Sequence, residues 1–143
     1  MPGNIRTPRG FTVRTRTGRH DLHARVSRAG QSDYLVYIWG GERPHIGAVA
    51  MALPRPSLSD PHKTSSTVSV FTYPGHKEDH LVKEAAETLS AALGGNVVVC
   101  AGAHWDQLDP EGIRQVLRNC RSLVSIIIRR LRPSPESRGS PSG

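Results

Sequence analysis

Two stretches that are apolar on both faces constrain the fold of this chain most strongly. The segment from Asp33 to Trp39 (DYLVYIW) and the segment from Ile46 to Leu53 (IGAVAMAL) lack the alternation of a strand with one face in water. Strands of this type lie in the middle of a sheet, where both faces are covered. The sequence therefore predicts two central strands and requires apolar cover on each side of them.

Two segments with a period of about 3.6 residues supply the helices. The first follows Pro74-Gly75 and ends at Gly94-Gly95, and the second starts with the cap signal Asp109-Pro110. The second is expected to bury Ile113, Val116, Leu117, Cys120, Leu123, Val124, Ile127 and Ile128. Further strands are expected near residues 11–26, 66–73 and 96–102, and a Pro-rich mobile flap at residues 54–64. We predict a two-layer α+β domain in the order βββββαβα, with an antiparallel-rich sheet of about six strands and both helices on one face.

The second face of the sheet has no predicted cover within the chain. Residues 34–39, 46–53 and 97–100 would then leave a large apolar surface in water, which monomeric proteins rarely tolerate. A second copy related by a two-fold axis is the simplest cover. We therefore expect a homodimer.

The 143 residues suit one domain, which we place at residues 11–131. Residues 1–10 and 132–143 are rich in Pro, Gly, Ser and Arg and are expected to be disordered. No apolar run is long enough for a membrane span and no signal segment is visible, so a soluble cytoplasmic protein is expected, without membrane contact. Cys100 and Cys120 lie in apolar patterns typical of small buried thiols rather than of a disulfide.

A formal charge of +7 and an arginine-rich segment between Arg6 and Arg28 raise the question of nucleic-acid binding. This segment has no interleaved aromatic residues on which bases stack. An edge hairpin with a solvated arginine face explains the same pattern. We expect no nucleic-acid partner.

The bend from Tyr73 to Asp79 (YPGHKED) leads from a strand into a helix N-terminus. Backbone N–H groups at such a start favour an anion, Gly75 lets the backbone approach it, and Lys77 adds a positive charge. The same residues also fit a helix start that binds nothing. An anion site requires the bend to be exposed and free of an acidic side chain from the same chain.

Other polar residues leave several interpretations open. The hydroxyl run Thr64 to Thr67 offers donors for phosphate or ribityl oxygens, or is simply the wet face of a strand. A three- or four-ligand metal site is conceivable from His45, His76, His80, His104 and Asp106, although their spacing matches no established zinc motif. Trp105, Trp39, Tyr37 and Tyr73 suit a planar wall for a flat ring or ordinary packing.

Three blocks, PHIGAVAMALPR, TSSTVSVFTYPGHKED and NVVVCAGAHWDQLDPEGI, resemble in the same order the signature blocks of the LpdD-like prenylated flavin chaperone family, typified by a small accessory protein of gallate decarboxylase. The resemblance covers about residues 11–131. It implies a non-catalytic partner of UbiD-type (de)carboxylases acting on aromatic acids. Such a partner binds reduced prenylated FMN made by a flavin prenyltransferase and delivers it to the apo-decarboxylase, with FMN itself as a further ligand.

The resemblance also implies site residues. The ribityl phosphate would be held by Gly75, His76 and Lys77 together with Ser65, Ser66 and Thr67. The isoalloxazine would be bordered by His45, His104, Trp105 and Asp106, and Gly47 is a further expected cofactor-binding residue. Two alternatives stay open: a metal-dependent hydrolase or lyase built on the histidine and Asp106 set, and a structural protein that clamps a decarboxylase without binding flavin.

Overall fold

One sheet carries all the strands of the structure, a computed structural model that describes residues 9–75 and 78–132. In chain order the strands are β1 (Gly10–Arg14), β2 (Leu22–Ala29), β3 (Asp33–Gly41), β4 (Ala48–Pro56), β5 (Thr64–Thr72) and β6 (Val97–His104). Helix α1 (Asp79–Leu93) precedes β6, and α2 (Pro110–Leu131) follows it. Residues of both helices share one buried cluster with one side of the sheet. The predicted α+β class and the order βββββαβα are confirmed.

The sheet order is β1-β2-β3-β6-β4-β5, which places β6 between two strands that precede it by many residues. Strand β6 runs parallel to β3, from Tyr34↔Val97 to Gly41↔His104, and antiparallel to β4. All other pairs are antiparallel. Strands β3, β6 and β5 therefore point the same way, and their carboxyl ends meet at one edge of the sheet.

The helix boundaries follow the predicted caps. Gly94 ends α1 in the left-handed conformation (φ 65°), and its N–H donates to Ser90 O at 2.9 Å. The Asp109 carboxylate accepts a 2.7 Å hydrogen bond from Gly112 N at the start of α2. Of the α2 residues predicted to be buried, Leu117 and Ile128 are partly buried and Ile113 is 48% exposed.

The β4–β5 hairpin is longer than the sequence pattern predicts. Pro54 and Pro56, expected in the flap, lie within β4 and pair with Ser66 and Thr64. The pairing of β4 with β6 ends at Ala52, so the prolines lie where β4 has only one neighbour. Proline is tolerated at such a position because its missing N–H removes no hydrogen bond to a second neighbouring strand. The connecting segment shortens to residues 57–63.

The sheet face opposite the helices, which we call the open face, is apolar and exposed. Leu35, Met51, Leu53 and Phe71 are 49%, 62%, 51% and 63% exposed. Register places Met51 beside Val98, and Val98 beside Leu35, so these side chains form a continuous patch across β4, β6 and β3. The predicted apolar face without cover is therefore present in the single chain.

Both cysteines are free thiols. Burial raises the pKa of the Cys120 thiol on α2 to about 12. Gly10, predicted to be disordered, is the first residue of β1, whereas residues 1–8 and 133–143 of the predicted tails lie outside the described residues. Within the described ranges, neither helix is long and apolar enough to span a bilayer.

Candidate functional site

A cavity of about 430 Å³ opens between the start of α1, the end of β6 and the first turns of α2. Its volume lies in the range typical of small-molecule sites. The carboxyl ends of β5 and β6 meet here, so two loops and a helix start are brought to one place. The lining residues are His45, Gly75, Glu78, His80, Leu81, Ala103, His104, Trp105, Leu108, Ile113, Val116 and Leu117.

A hydrogen-bonded pair of side chains, His45 and Glu78, lies at the polar side of this cavity. His45 Nε2 is 2.9 Å from Glu78 Oε1, and its Nδ1 is 2.8 Å from Arg43 O. Glu78 is only 8% exposed, and its carboxylate also accepts a 3.4 Å hydrogen bond from Ala103 N. A buried carboxylate needs such partners because desolvation penalises its charge. The pair fixes the segment before β4 to the start of α1.

The backbone of Gly47, a predicted flavin contact, lies against the Glu78 carboxylate. It does not line the cavity, and a Cβ at this position would collide with the Glu78 carboxylate. Its backbone bridges two strands, since Gly47 N donates to Ala101 O at 2.8 Å and Gly47 O accepts from Tyr73 N at 2.9 Å. Gly47 therefore makes room for the buried acid.

The Gly75 bend is exposed, as an anion site requires. Gly75 adopts φ 81°, a conformation that favours glycine, and the space around its Cα is open. The side chain of Glu78, the N-cap residue of α1, makes no capping hydrogen bond and instead points to Gly47 and His45. An acidic side chain thus lies beside the bend without capping the helix. The predicted contributions of His76 and Lys77 lie outside the described residues.

The residues after β6 divide between the cavity wall and the surface. Trp105 is 6% exposed, and its Nε1 donates to Arg19 O at 2.9 Å, so the indole is a fixed wall. His104 Nε2 is 3.1 Å from Asp106 Oδ1, and Arg43 approaches the same oxygen at 3.4 Å. Asp106 faces water and does not line the cavity.

The hydroxyl run is not brought to the bend. Ser65, Ser66 and Thr67 lie at the opposite end of β5 from Gly75, which puts Thr67 roughly 20 Å away at about 3.3 Å per residue. Ser66 Oγ donates to Glu87 O at 3.0 Å, and Thr67 Oγ1 accepts from Arg55 Nε at 2.9 Å. Within one chain these hydroxyls and Gly75 cannot hold the same phosphate.

The predicted aromatic wall is also divided. Tyr37 and Trp39 stack on the open face at 5.3 Å between ring centroids, while Trp105 lines the cavity. Tyr37 OH nevertheless donates to His45 O at 3.1 Å, which joins the open face to the cavity rim. Burial, with the nearby Cys100 as a second cause, raises the pKa of Tyr37 above its ordinary value.

The metal-site alternative gains no support. In the ranges 9–75 and 78–132, no group of three or more His, Cys, Asp or Glu side chains is arranged to hold a metal ion. His45 is engaged by Glu78, and His104 by Asp106. His76 lies outside these ranges.

The apolar part of the cavity is not apparent from the sequence. The period of Leu81, Val116 and Leu117 predicts an apolar helix face, which does not distinguish a core from a cavity wall. Glu78 fits the pattern of a helix start and carries no further signal of its own. Gly47 is the residue that could have indicated the buried position of Glu78, because a glycine at the start of an apolar strand often marks a place where another group closely approaches the backbone.

Fold and cavity together define a class: a two-layer α+β protein with a cavity of cofactor size where the strands end. The family follows from the sequence profile of the prenylated flavin chaperone LpdD-like domain, which matches residues 16–132. The chain belongs to this family, whose name indicates prenylated flavin binding and a chaperone role. The suspected resemblance is thereby confirmed.

Comparison with solved structures supports the fold and nothing further. The crystal structure of a novel chaperone complex for yeast 20S proteasome assembly contains a chain that superposes with a TM-score of 0.60 at 11% identity. The match covers 87% of this chain and 98% of the yeast chain. No curated protein sequence matches with significance.

Proposed function

We propose that the cavity binds reduced prenylated FMN and that the protein delivers it, in the cytoplasm, to a UbiD-type (de)carboxylase acting on aromatic acids. A flavin prenyltransferase would supply the cofactor. The observation that carries this proposal is a cofactor-sized cavity beside an open helix start in a member of the prenylated flavin chaperone family. The protein acts as a carrier and is not an enzyme.

The charges of the cavity suggest how the flavin lies. A phosphate is repelled by the Glu78 carboxylate, so it belongs at the outer end of the cavity, against the exposed Gly75 bend. The isoalloxazine then extends inward between His104 and Trp105. The rigid indole suits a flat ring because its N–H is already bonded to Arg19 O.

The carrier is further proposed to be a homodimer formed through the open face. Four exposed apolar side chains on that face, each about half accessible or more, require cover. A second copy presents the same apolar surface, so a two-fold contact is self-complementary. Through the Tyr37–His45 hydrogen bond, dimerisation would also order the cavity rim.

Anaerobic co-elution tests the carrier function. Wild-type protein should retain reduced prenylated FMN on a desalting column, and the loaded protein should activate an apo-decarboxylase. Lys77→Ala and His104→Ala should weaken retention at least tenfold, because each removes a predicted polar contact. His62→Ala, in the exposed β4–β5 connection, is the matched control and should change nothing.

Two results would contradict the proposal. One is a wild-type protein that retains no flavin, which would leave a structural component of the decarboxylase as the function. The other is equal retention by wild type, Lys77→Ala and His104→Ala, which would place the ligand outside this cavity.

A further inference from the structure

A second groove, of about 350 Å³, lies beside β1, the strand at one edge of the sheet. It shares no lining residue with the cavity at the start of α1. We call it the β1 groove, and its lining comes from β1, β2, the last turns of α2 and the segment after β1. The lining residues are Thr12, Val13, Arg14, Arg16, His23, Ile126 and Arg130. Basic side chains therefore dominate the groove, and none of these residues is Asp or Glu.

The arginines of the β1 groove are not neutralised by the protein itself. Earlier on α2, the exposed Arg121 pairs with Glu84 at 2.6 Å. In the ranges 9–75 and 78–132, by contrast, Arg14, Arg16 and Arg130 form no ion pair with an acidic side chain, although all three are exposed. The groove thus presents a concentrated positive charge that suits a negatively charged partner.

Two neighbours of these arginines explain why the charge persists. The Asp21 carboxylate accepts hydrogen bonds from the Thr15 and Thr17 hydroxyls at 2.9 and 3.1 Å. It is engaged by the turn before β2 and forms no ion pair with the groove arginines. The Arg130 guanidinium lies 4.3 Å from the centroid of the Phe11 ring, which holds this cation beside β1.

The backbone of β1 adds hydrogen-bonding groups along the same edge. Thr15 N donates to Leu22 O at 2.9 Å, and bonding to the neighbour alternates along an antiparallel pair. The N–H and C=O groups of Gly10, Thr12 and Arg14 therefore point away from β2. In the part of the chain that the structure describes, no strand pairs with this side of β1. An edge of this kind accepts an added strand.

We propose that the β1 groove binds an extended acidic segment of another protein, which pairs with the outer edge of β1. Alternate residues of an added strand point to opposite faces. Carboxylates on one face would meet Arg14 and Arg16, and apolar side chains on the other would meet Val13 and Ile126. The arginines repel a second copy of the same edge, so they select a partner of opposite charge. This inference goes beyond the flavin site and does not depend on it.

A peptide strand suits this edge better than a nucleic acid does. The outward groups of β1 include carbonyls, which phosphates leave unpaired because phosphates only accept hydrogen bonds. Nearby rings are already engaged, since His23 stacks on Trp39 at 5.4 Å and Arg130 covers Phe11. The segment 133–143 of this chain contains one Glu and one Arg, so it is not an acidic occupant.

Titration of the ¹⁵N-labelled full chain with the peptide EVEVEVE, blocked at both ends, tests the proposal by nuclear magnetic resonance. At low salt the amide signals of Gly10, Thr12 and Arg14 should shift and gain protection from hydrogen exchange, because these N–H groups then bond to the peptide. Binding should weaken at high salt, which screens the arginines. The peptide KVKVKVK has the same alternation with the opposite charge and should not bind.

Charge reversal locates the site. Arg14→Glu and Arg16→Glu should each weaken the binding of EVEVEVE at least about tenfold, because attraction is replaced by repulsion. Both side chains are exposed, so the variants are expected to fold. Lys63→Glu is the matched control, since Lys63 is 79% exposed in the β4–β5 connection and makes the same change of charge elsewhere.

Three results would overturn the proposal. The first is a wild-type protein that does not bind EVEVEVE at low salt. The second is binding that leaves the amides of β1 unshifted, or that Arg14→Glu and Lys63→Glu weaken equally. The third is a single-stranded oligothymidylate that shifts the same amides at lower concentration than the peptide, which would assign the groove to nucleic acid. Flavin retention is unaffected by any of these results, so the carrier function is tested separately.

Discussion

Replacement of Met51 by Glu tests the open face as a dimer interface. Met51 lies on β4, where register sets it beside Val98 of β6 and Ser69 of β5, and it is 62% exposed. In a single chain the new carboxylate would remain in water. Folding of the protomer should therefore be nearly unaffected, whereas a partner copy would have to bury the charge.

The magnitude is large because two-fold symmetry places the substitution in the interface twice. Burial of the exposed part of each Met51 side chain contributes about 1–2 kcal/mol, and this contribution is lost in both copies. Burial of each unpaired carboxylate costs several kcal/mol more. The dimer should weaken by more than about 5 kcal/mol, or more than about 4000-fold in dissociation constant.

Sedimentation velocity over a concentration series measures the effect. Wild type and Leu58→Glu, which adds the same charge on the exposed β4–β5 connection, should sediment as dimers at micromolar concentration. Met51→Glu should sediment as a monomer with unchanged far-ultraviolet circular dichroism. The reasoning is refuted if wild type is monomeric, or if Met51→Glu dimerises as tightly as Leu58→Glu.

Two further predictions concern stability. Gly47→Ala should lower the free energy of unfolding by about 1–3 kcal/mol, because the new Cβ collides with the Glu78 carboxylate. Urea denaturation should show a smaller loss when the same substitution is made in a Glu78→Ala variant. Equal losses in the two backgrounds would contradict the contact. Burial tends to raise the pKa of Asp21, but hydrogen bonds from Thr17 N and from the Thr15 and Thr17 hydroxyls outweigh burial and hold this pKa below its ordinary value. The ionised Asp21 carboxylate therefore stabilises the fold fully above about pH 4, and this stabilisation is lost as the pH falls through the lowered pKa. Asp21→Asn should therefore flatten the acid limb of stability measured by urea denaturation, and an unchanged limb would argue against the role of Asp21.

Local signals are sufficient to predict the elements. Gly94 and the pair Asp109-Pro110 stop and start helices through backbone chemistry that involves only neighbouring residues. The position of β6 between β3 and β4 is not predictable in this way. Its apolar character on both faces indicates a central strand, but its neighbours are chosen by contacts distant in sequence.

The candidate site is likewise predictable only in part. His45, Gly75, His104 and Trp105 line one cavity because each lies near a strand end, and their contact with a flavin stays a prediction. Ser65–Thr67 lie toward the other end of β5 from Gly75, with Thr67 roughly 20 Å from Gly75 at about 3.3 Å per residue, so one chain does not bring them to one phosphate. The apolar cavity wall that includes Leu117 is not predictable, because the hydrophobic period of a helix indicates which face is buried but not what that face contacts.

The late position of β6 in the chain has a consequence for folding. Until residues 97–104 have been synthesised, the β1–β3 meander and the β4–β5 hairpin have no strand to join them, because β3 and β4 never pair directly. Until the middle strand is added, the nascent chain therefore carries two additional open sheet edges, at β3 and β4, and such edges invite intermolecular pairing. The sheet is completed by pairs of residues 45 to 63 positions apart in the chain, a topology that favours slow folding.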